Sequence, residues 1–201
     1  MHRMRRHQLG ACLAIGVLLL TWNVVQAAEA TLTGASSQRA GHVLSVSFKV
    51  EGAFTPKMEE AILSGIPQTF TYFFEVYRVV NAWPDQRIYN WQVRRTIKYD
   101  TLKKAFTVTL GSNEKDRQTK DLSEAKKWLT EFQGFPVAVV PALQADASHY
   151  VRVKAELDPV DWPLYLNRIF FFANLWDFKT PWLRIELPDG VSDDTPTNQP
   201  E

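Results

Sequence analysis

QTFTYFFEVYRVVNAWPDQRIYNWQVRRTIKY, residues 68–99, decides the fold. Phe70, Tyr72, Phe74 and Val76 alternate with Thr71, Phe73, Glu75 and Tyr77, the two-residue period of a strand built from residue types that strands favour. Tyr89, Trp91, Val93, Ile97 and Tyr99 fall on one face of a second strand, and Ile88, Asn90, Gln92, Arg94, Thr96 and Lys98 on a wetter one. Between them lies Asn81-Ala82-Trp83-Pro84-Asp85, where Pro84 cannot donate to a ladder and presets φ for a turn. The stretch predicts a long antiparallel hairpin, with the rest of the chain packed around it.

Working outward, His42 to Glu51 alternates with Leu44, Val46, Phe48 and Val50 inward, the pattern of a half-buried antiparallel strand. Thr55-Pro56 is a helix start, a capping hydroxyl followed by proline at the first helical position, and Gly65 is its stop. Ala105 to Leu110 and Ser148 to Leu157 read as strands. Gly111 to Lys120 is polar and expected to be mobile. Asp121 to Gln133 reads as a helix with Leu122, Ala125, Leu129 and Phe132 at helical spacing. Phe135 to Leu143 is apolar but broken by Pro136 and Pro141, which confines it to an edge strand or an extended cover. Asp161 to Asn174 reads as a further helix starting near Pro163, and Phe178 to Leu187 as a last edge strand. The chain is therefore expected to be mainly β, an antiparallel immunoglobulin-like β-sandwich with two or three short helices.

The ends speak to compartment. Arg3, Arg5 and Arg6 precede an apolar run from Leu9 to Leu20, and Val25-Gln26-Ala27 offers small residues where a signal peptidase reads, so residues 1–27 are expected to be a signal peptide cleaved after Ala27. The competing reading is an uncleaved anchor, since Leu9 to Ala28 approaches the roughly 20 residues of a bilayer span, and only then is membrane contact expected. Either way the expected location is the periplasm. Residues 28–41, rich in Ser, Thr, Ala and Gly, are expected to be a flexible leader, residues 42–187 one domain, and residues 188–201, with four acidic residues and three prolines, a disordered acidic tail. The only cysteine, Cys12, would leave with the signal, so the mature chain has no disulfide. It would carry 20 Lys and Arg against 22 Asp and Glu, a formal charge of −2 that gives no sign of nucleic-acid binding.

Chemistry-bearing motifs are sparse. His42 and His149 are the histidines beyond residue 27, too few for a three-histidine metal site, and there is no Gly-x-Ser-x-Gly elbow or phosphate loop. His149 could act as a general base but reads first as a strand-end histidine. Asp158 and Asp161 could pair, but their setting favours turn roles. No catalytic residue, metal ligand or cofactor is assigned. Trp83, Arg94, Trp162, Trp176 and Trp182 are the candidate partner-binding residues, because tryptophan and arginine anchor interfaces. Against that, aromatics also fill sandwich cores. Arg94 and Arg95 point to opposite faces of one strand, so at most one joins a basic patch with Lys98.

The order of several short motifs adds a resemblance. Ala61-Ile62-Leu63-Ser64-Gly65-Ile66-Pro67 entering an aromatic strand, Trp83 and Asp85 in the turn, Tyr99-Asp100-Thr101-Leu102, Tyr150-Val151-Arg152-Val153 with Glu156-Leu157-Asp158, and Trp182 together resemble the bacterial exported family catalogued as domain of unknown function 4390. The likeness covers nearly the whole mature chain, with Pro84 where that family often has an aromatic or aliphatic residue. It implies no agreed activity. The family's genes tend to lie beside a membrane sensor histidine kinase of the nitrogen-regulation type, which implies envelope signalling. The resulting expectation is a non-enzymatic interaction module for an envelope protein, with a sensor histidine kinase as one candidate. The alternative is a carrier of a lipid or other apolar small molecule.

Overall fold

In the computed structural model, residues 30–111, 115–139, 147–158 and 178–188 are described. The hairpin is its centre. β3 (Gln68–Arg78) and β4 (Gln86–Asp100) pair from Gln68↔Ile97 to Arg78↔Gln86, so the strands break on either side of the expected turn. On its other side β3 takes β8 (His149–Leu157), which places β3 inside the sheet. That position is why Phe70, Tyr72, Phe74 and Val76 are completely buried, as are Val151, Val153 and Ala155 beside them.

Six more strands and two helices complete the described residues. They are β1 (Thr31–Ala40), β2 (Val43–Glu51), α1 (Pro56–Leu63), β5 (Ala105–Thr109), β6 (Arg117–Thr119), α2 (Leu122–Thr130), β7 (Glu131–Val139) and β9 (Leu183–Glu186), in chain order around the three already named. Six strands form a sheet in the order β6-β5-β4-β3-β8-β9 and three form a second, β1-β2-β7, with every neighbour antiparallel. The fold is therefore mainly β, with two antiparallel sheets and two helices among the described residues.

Rings hold the two sheets together. Phe132 on β7 stacks on Phe48 of β2 at 4.6 Å and meets Tyr72 of β3 edge-on at 4.6 Å, while Phe135 stacks on Phe74 at 5.2 Å. Each such pair contributes roughly 0.5–1.5 kcal/mol beyond its buried area. Along one side the sheets meet where the Ser37 hydroxyl donates to the Glu186 carbonyl at 2.5 Å. Along the other, among the described residues, the six strands extend beyond the three. Tyr89, Trp91 and Val93, inward by alternation, lie beyond the last strand of the smaller sheet, so Tyr89 is 40% exposed and the other two are half-buried. Lower down the same overhang, α2 lays Ala125 and Leu129 over the face that carries Val108 and Ile97.

α2 is held by its C-terminal end. A helix leaves its last carbonyls without intrahelical donors, and burying them unpaired is costly. Here the buried Arg95 of β4 donates to the carbonyls of Trp128 (2.9 Å) and Glu131 (2.7 Å), and the Tyr72 hydroxyl donates to that of Leu129 (2.7 Å). The Thr130 hydroxyl takes the Lys126 carbonyl at 3.0 Å and the Glu131 amide takes that of Lys127. A guanidinium at a helix C-terminus also matches the negative end of the macrodipole. With the carbonyls captured, the chain turns extended at Glu131 (φ −103, ψ 131) and becomes β7 without a linker.

Several expectations are corrected by this arrangement. The helix expected to reach Gln133 stops at Thr130, and Phe132, which fits the helical stripe, is buried from a strand instead. Gly134, the residue after that expected helix, lies within β7 at φ 57, beside a register shift opposite Val46 to Phe48, and its amide donates to the Ser47 hydroxyl at 3.0 Å. Thr31–Ala40, expected to be leader, is an edge strand: its polar composition suits a position where the ladder to β2 is satisfied and little more than Leu32 need be buried. The stretch expected to be mobile contains β6, paired with β5. The last strand is shorter than expected, Leu183–Glu186, preceded by a single bridge from Lys179 to Glu156. The expected signal peptide, the helix near Pro163 and nearly all of the acidic tail lie outside the described residues. β2, α1 with its Thr55 cap, β5, β8 and the edge position of β7 are as expected.

Tyr72→Phe keeps the ring and loses only the bond to Leu129. It should lower the urea-unfolding free energy by about 1 kcal/mol, whereas Phe132→Ala should cost about 3–5 kcal/mol.

Candidate functional site

The overhang creates a cleft of about 1130 Å³ between β4, α2 and the open edge of β7. Trp91 and Val93 form one wall, Lys127 and Trp128 the other, and Phe135 and Pro136 the side nearest the smaller sheet. Trp91 is fixed flat against Phe74 at 5.1 Å and 7°, so its orientation is set by the core. Across the cleft the Arg117 guanidinium lies 5.7 Å from the Trp128 ring. Arg95 closes the floor, its guanidinium 3.5 Å over the Phe132 ring. Two acids of the wall serve the scaffold: Asp121 caps α2 by accepting from the Ser123 amide at 2.8 Å, and Glu124 accepts the Thr119 hydroxyl at 2.5 Å. The cleft thus offers indole and guanidinium groups on a rigid frame.

A second cluster covers the outer face of the larger sheet near the hairpin turn. Tyr77 and Tyr150 stack at 5.2 Å, and Arg184 lies 3.5 Å over the Tyr150 ring. The Tyr150 hydroxyl donates to Asp85 at 2.8 Å. Burial first, and then that bond to a carboxylate, push the Tyr150 hydroxyl up to about 12. Glu75 sits between Arg87 (2.8 Å) and Arg152 (3.9 Å).

The residues singled out from sequence lie apart. Trp83 caps the β3–β4 turn and is 77% exposed. Arg94 is on the outer face, 3.7 Å from Asp158, at the border of the cleft. Trp182 precedes β9, with Arg152 4.6 Å and Lys154 5.5 Å from its ring. Trp162 and Trp176 lie outside the described residues. The cleft residues Trp91, Arg117, Lys127 and Trp128 were not singled out, although alternation placed Arg95 on the inward face. His149 is buried at the head of β8. Among the described residues no three His, Cys, Asp or Glu side chains gather in a way that could hold a metal ion.

The acids of the motifs that carry the family resemblance stitch strands together. Asp85 ties the hairpin turn to Tyr150, Asp100 closes the β4–β5 turn by accepting the amides of Leu102 (3.0 Å) and Lys103 (2.9 Å), and Asp158 accepts the Thr71 hydroxyl at 2.5 Å. Together these features define a two-sheet β domain with a preformed aromatic and cationic cleft along one edge. A family model described as a domain of unknown function (DUF4390) matches residues 27–186, and the chain belongs to that family. No curated protein and no solved structure matches it.

The raised tyrosine generates a pH prediction. An unfolded tyrosine ionises near 10, so the folded state binds the Tyr150 proton more tightly. The associated stability is complete below pH 10 and is lost as pH rises towards about 12. Urea midpoints measured at pH 9 and pH 11.5 should fall less for Tyr150→Phe than for the parent chain. Buried Tyr72, whose hydroxyl is also shifted up, should keep the residual fall.

Proposed function

We propose that this chain is a non-enzymatic periplasmic interaction module whose cleft receives a segment of an envelope protein. The observation that carries the reading is the pairing of Trp91 and Trp128 with Arg117 and Lys127 around one preformed depression. Tryptophan and arginine in a partly desolvated pocket are the residue types that dominate binding energy at protein interfaces. On the β7 side, recognition would run through side chains rather than strand addition. Pro136 and the irregular register of β7 blunt the edge of that strand, which borders the cleft.

We further propose that the scaffold is an immunoglobulin-like sandwich. The orders β1-β2-β7 and β9-β8-β3-β4 support this reading, because strands of such a sandwich run ABE in one sheet and GFCC′ in the other. The family resemblance makes a membrane sensor histidine kinase the first partner to test. A carrier holding its ligand between the sheets is less well supported, because Phe48, Tyr72, Phe74 and Phe132 fill that space.

A photo-crosslinking residue at Lys127 should yield an adduct with an envelope protein in intact cells, while one at Thr109, on the outer face of β5, should not. No adduct from Lys127, or the same adducts from both positions, would overturn the assignment of the cleft. Lipid adducts alone would favour the carrier.

A further inference from the structure

The strand pairings bring the β1–β2 turn, the β3–β4 turn and the end of β7 to one end of the two-sheet body. Side chains that sheets normally hide are gathered there. Trp83 is 77% exposed, Val139 50% and Val43 38%, the two valines being cross-strand neighbours. From Val79 to Pro84 the turn contains no charged residue. Exposed apolar side chains gathered at one end of a molecule are candidates for a site of interaction.

The turn is held still. The Val79 amide donates to the Ser148 carbonyl (2.9 Å), the Val80 amide to Asp85 Oδ1 (3.3 Å) and the Trp83 amide to the Val80 carbonyl (3.3 Å). Asp85 also accepts from Tyr150, so its carboxylate is turned back onto the sheet. Trp83 is therefore presented with its backbone already ordered, which lowers the entropy cost of docking.

Charge selects the occupant. Behind the apolar tip, among the described residues, five arginines (Arg39, Arg78, Arg87, Arg152 and Arg184) stand against three carboxylates (Glu75, Asp85 and Glu186). An indole projecting from an uncharged tip, with a cationic collar one layer back, matches a bilayer whose headgroups are anionic. The indole sits at the interfacial depth that tryptophan favours, and the guanidinium groups face phosphate. We propose that this end of the molecule docks on an anionic lipid surface with Trp83 as its anchor, a second binding surface separate from the cleft.

Flotation of the full chain with vesicles of phosphatidylethanolamine and phosphatidylglycerol tests this, with Trp83→Ser and Leu102→Ser as variants. Leu102 is 93% exposed in the β4–β5 turn at the opposite end, so it controls for any exposed apolar side chain. Both variants change exposed turn residues and should unfold at the parent temperature. The expected result is binding that weakens at least fivefold in Trp83→Ser, is unchanged in Leu102→Ser, and falls with added salt or in phosphatidylcholine vesicles. Absence of flotation overturns the proposal, as does equal binding by Trp83→Ser and the parent. Equal weakening by the two variants overturns it as well.

Discussion

The structure depends on how the buried end of α2 is satisfied. A sheet of six strands facing a sheet of three leaves an inner face that something else must cover. A nine-residue helix does so only if its C-terminal carbonyls find donors away from water. Arg95 and Tyr72, both from the larger sheet, supply them. Hydrogen bonds from a charged donor contribute about 1.5–3 kcal/mol, and removing such a partner leaves buried carbonyls exposed to the full desolvation penalty. That makes this junction worth more than any one ring contact in the core.

Its consequences run in both directions along the chain. Upstream, α2 is positioned to place Lys127 and Trp128 opposite Trp91. Downstream, β7 begins at the residue after the helix, which puts Phe132 and Phe135 among the rings that join the sheets. The cleft is thus a by-product of unequal sheet width, stiffened by the core itself. The hairpin tip with Trp83 is likewise pinned by Asp85, and the two surfaces lie on the same hairpin, one along its inner face and one at its turn.

How much of this could be read from the chain follows from the range of each interaction. Local signals were reliable. Alternation placed Phe70, Tyr72, Phe74 and Val76 in the core, and Thr55-Pro56 marked the start of α1 with its cap. Where long-range partners decide, local patterns misled. Thr31–Ala40 has a leader's composition and becomes a strand because β2 offers it a ladder. Leu122, Ala125, Leu129 and Phe132 continue a helical stripe past Thr130, but carbonyl capture by residues 33 to 57 positions away ends the helix. The candidate site was harder still. Its walls come from β4, α2 and β7, and only the three-dimensional register shows that Trp91 and Trp128 share one depression. Arg95 is the instructive residue: its odd position between Val93 and Ile97 pointed inward, yet nothing local named the carbonyls it would meet.

The measurement that bears most directly on this account is amide hydrogen exchange of Arg95→Leu compared with the parent chain. If Arg95 holds the end of α2, protection should fall selectively in α2 and the first residues of β7. The central strands β3, β4 and β8 should keep near-parent protection, and the cleft wall should open without global unfolding. Uniform loss of protection across all strands, or unchanged protection in α2, would contradict the claim that this junction supports the helix and, through it, the cleft.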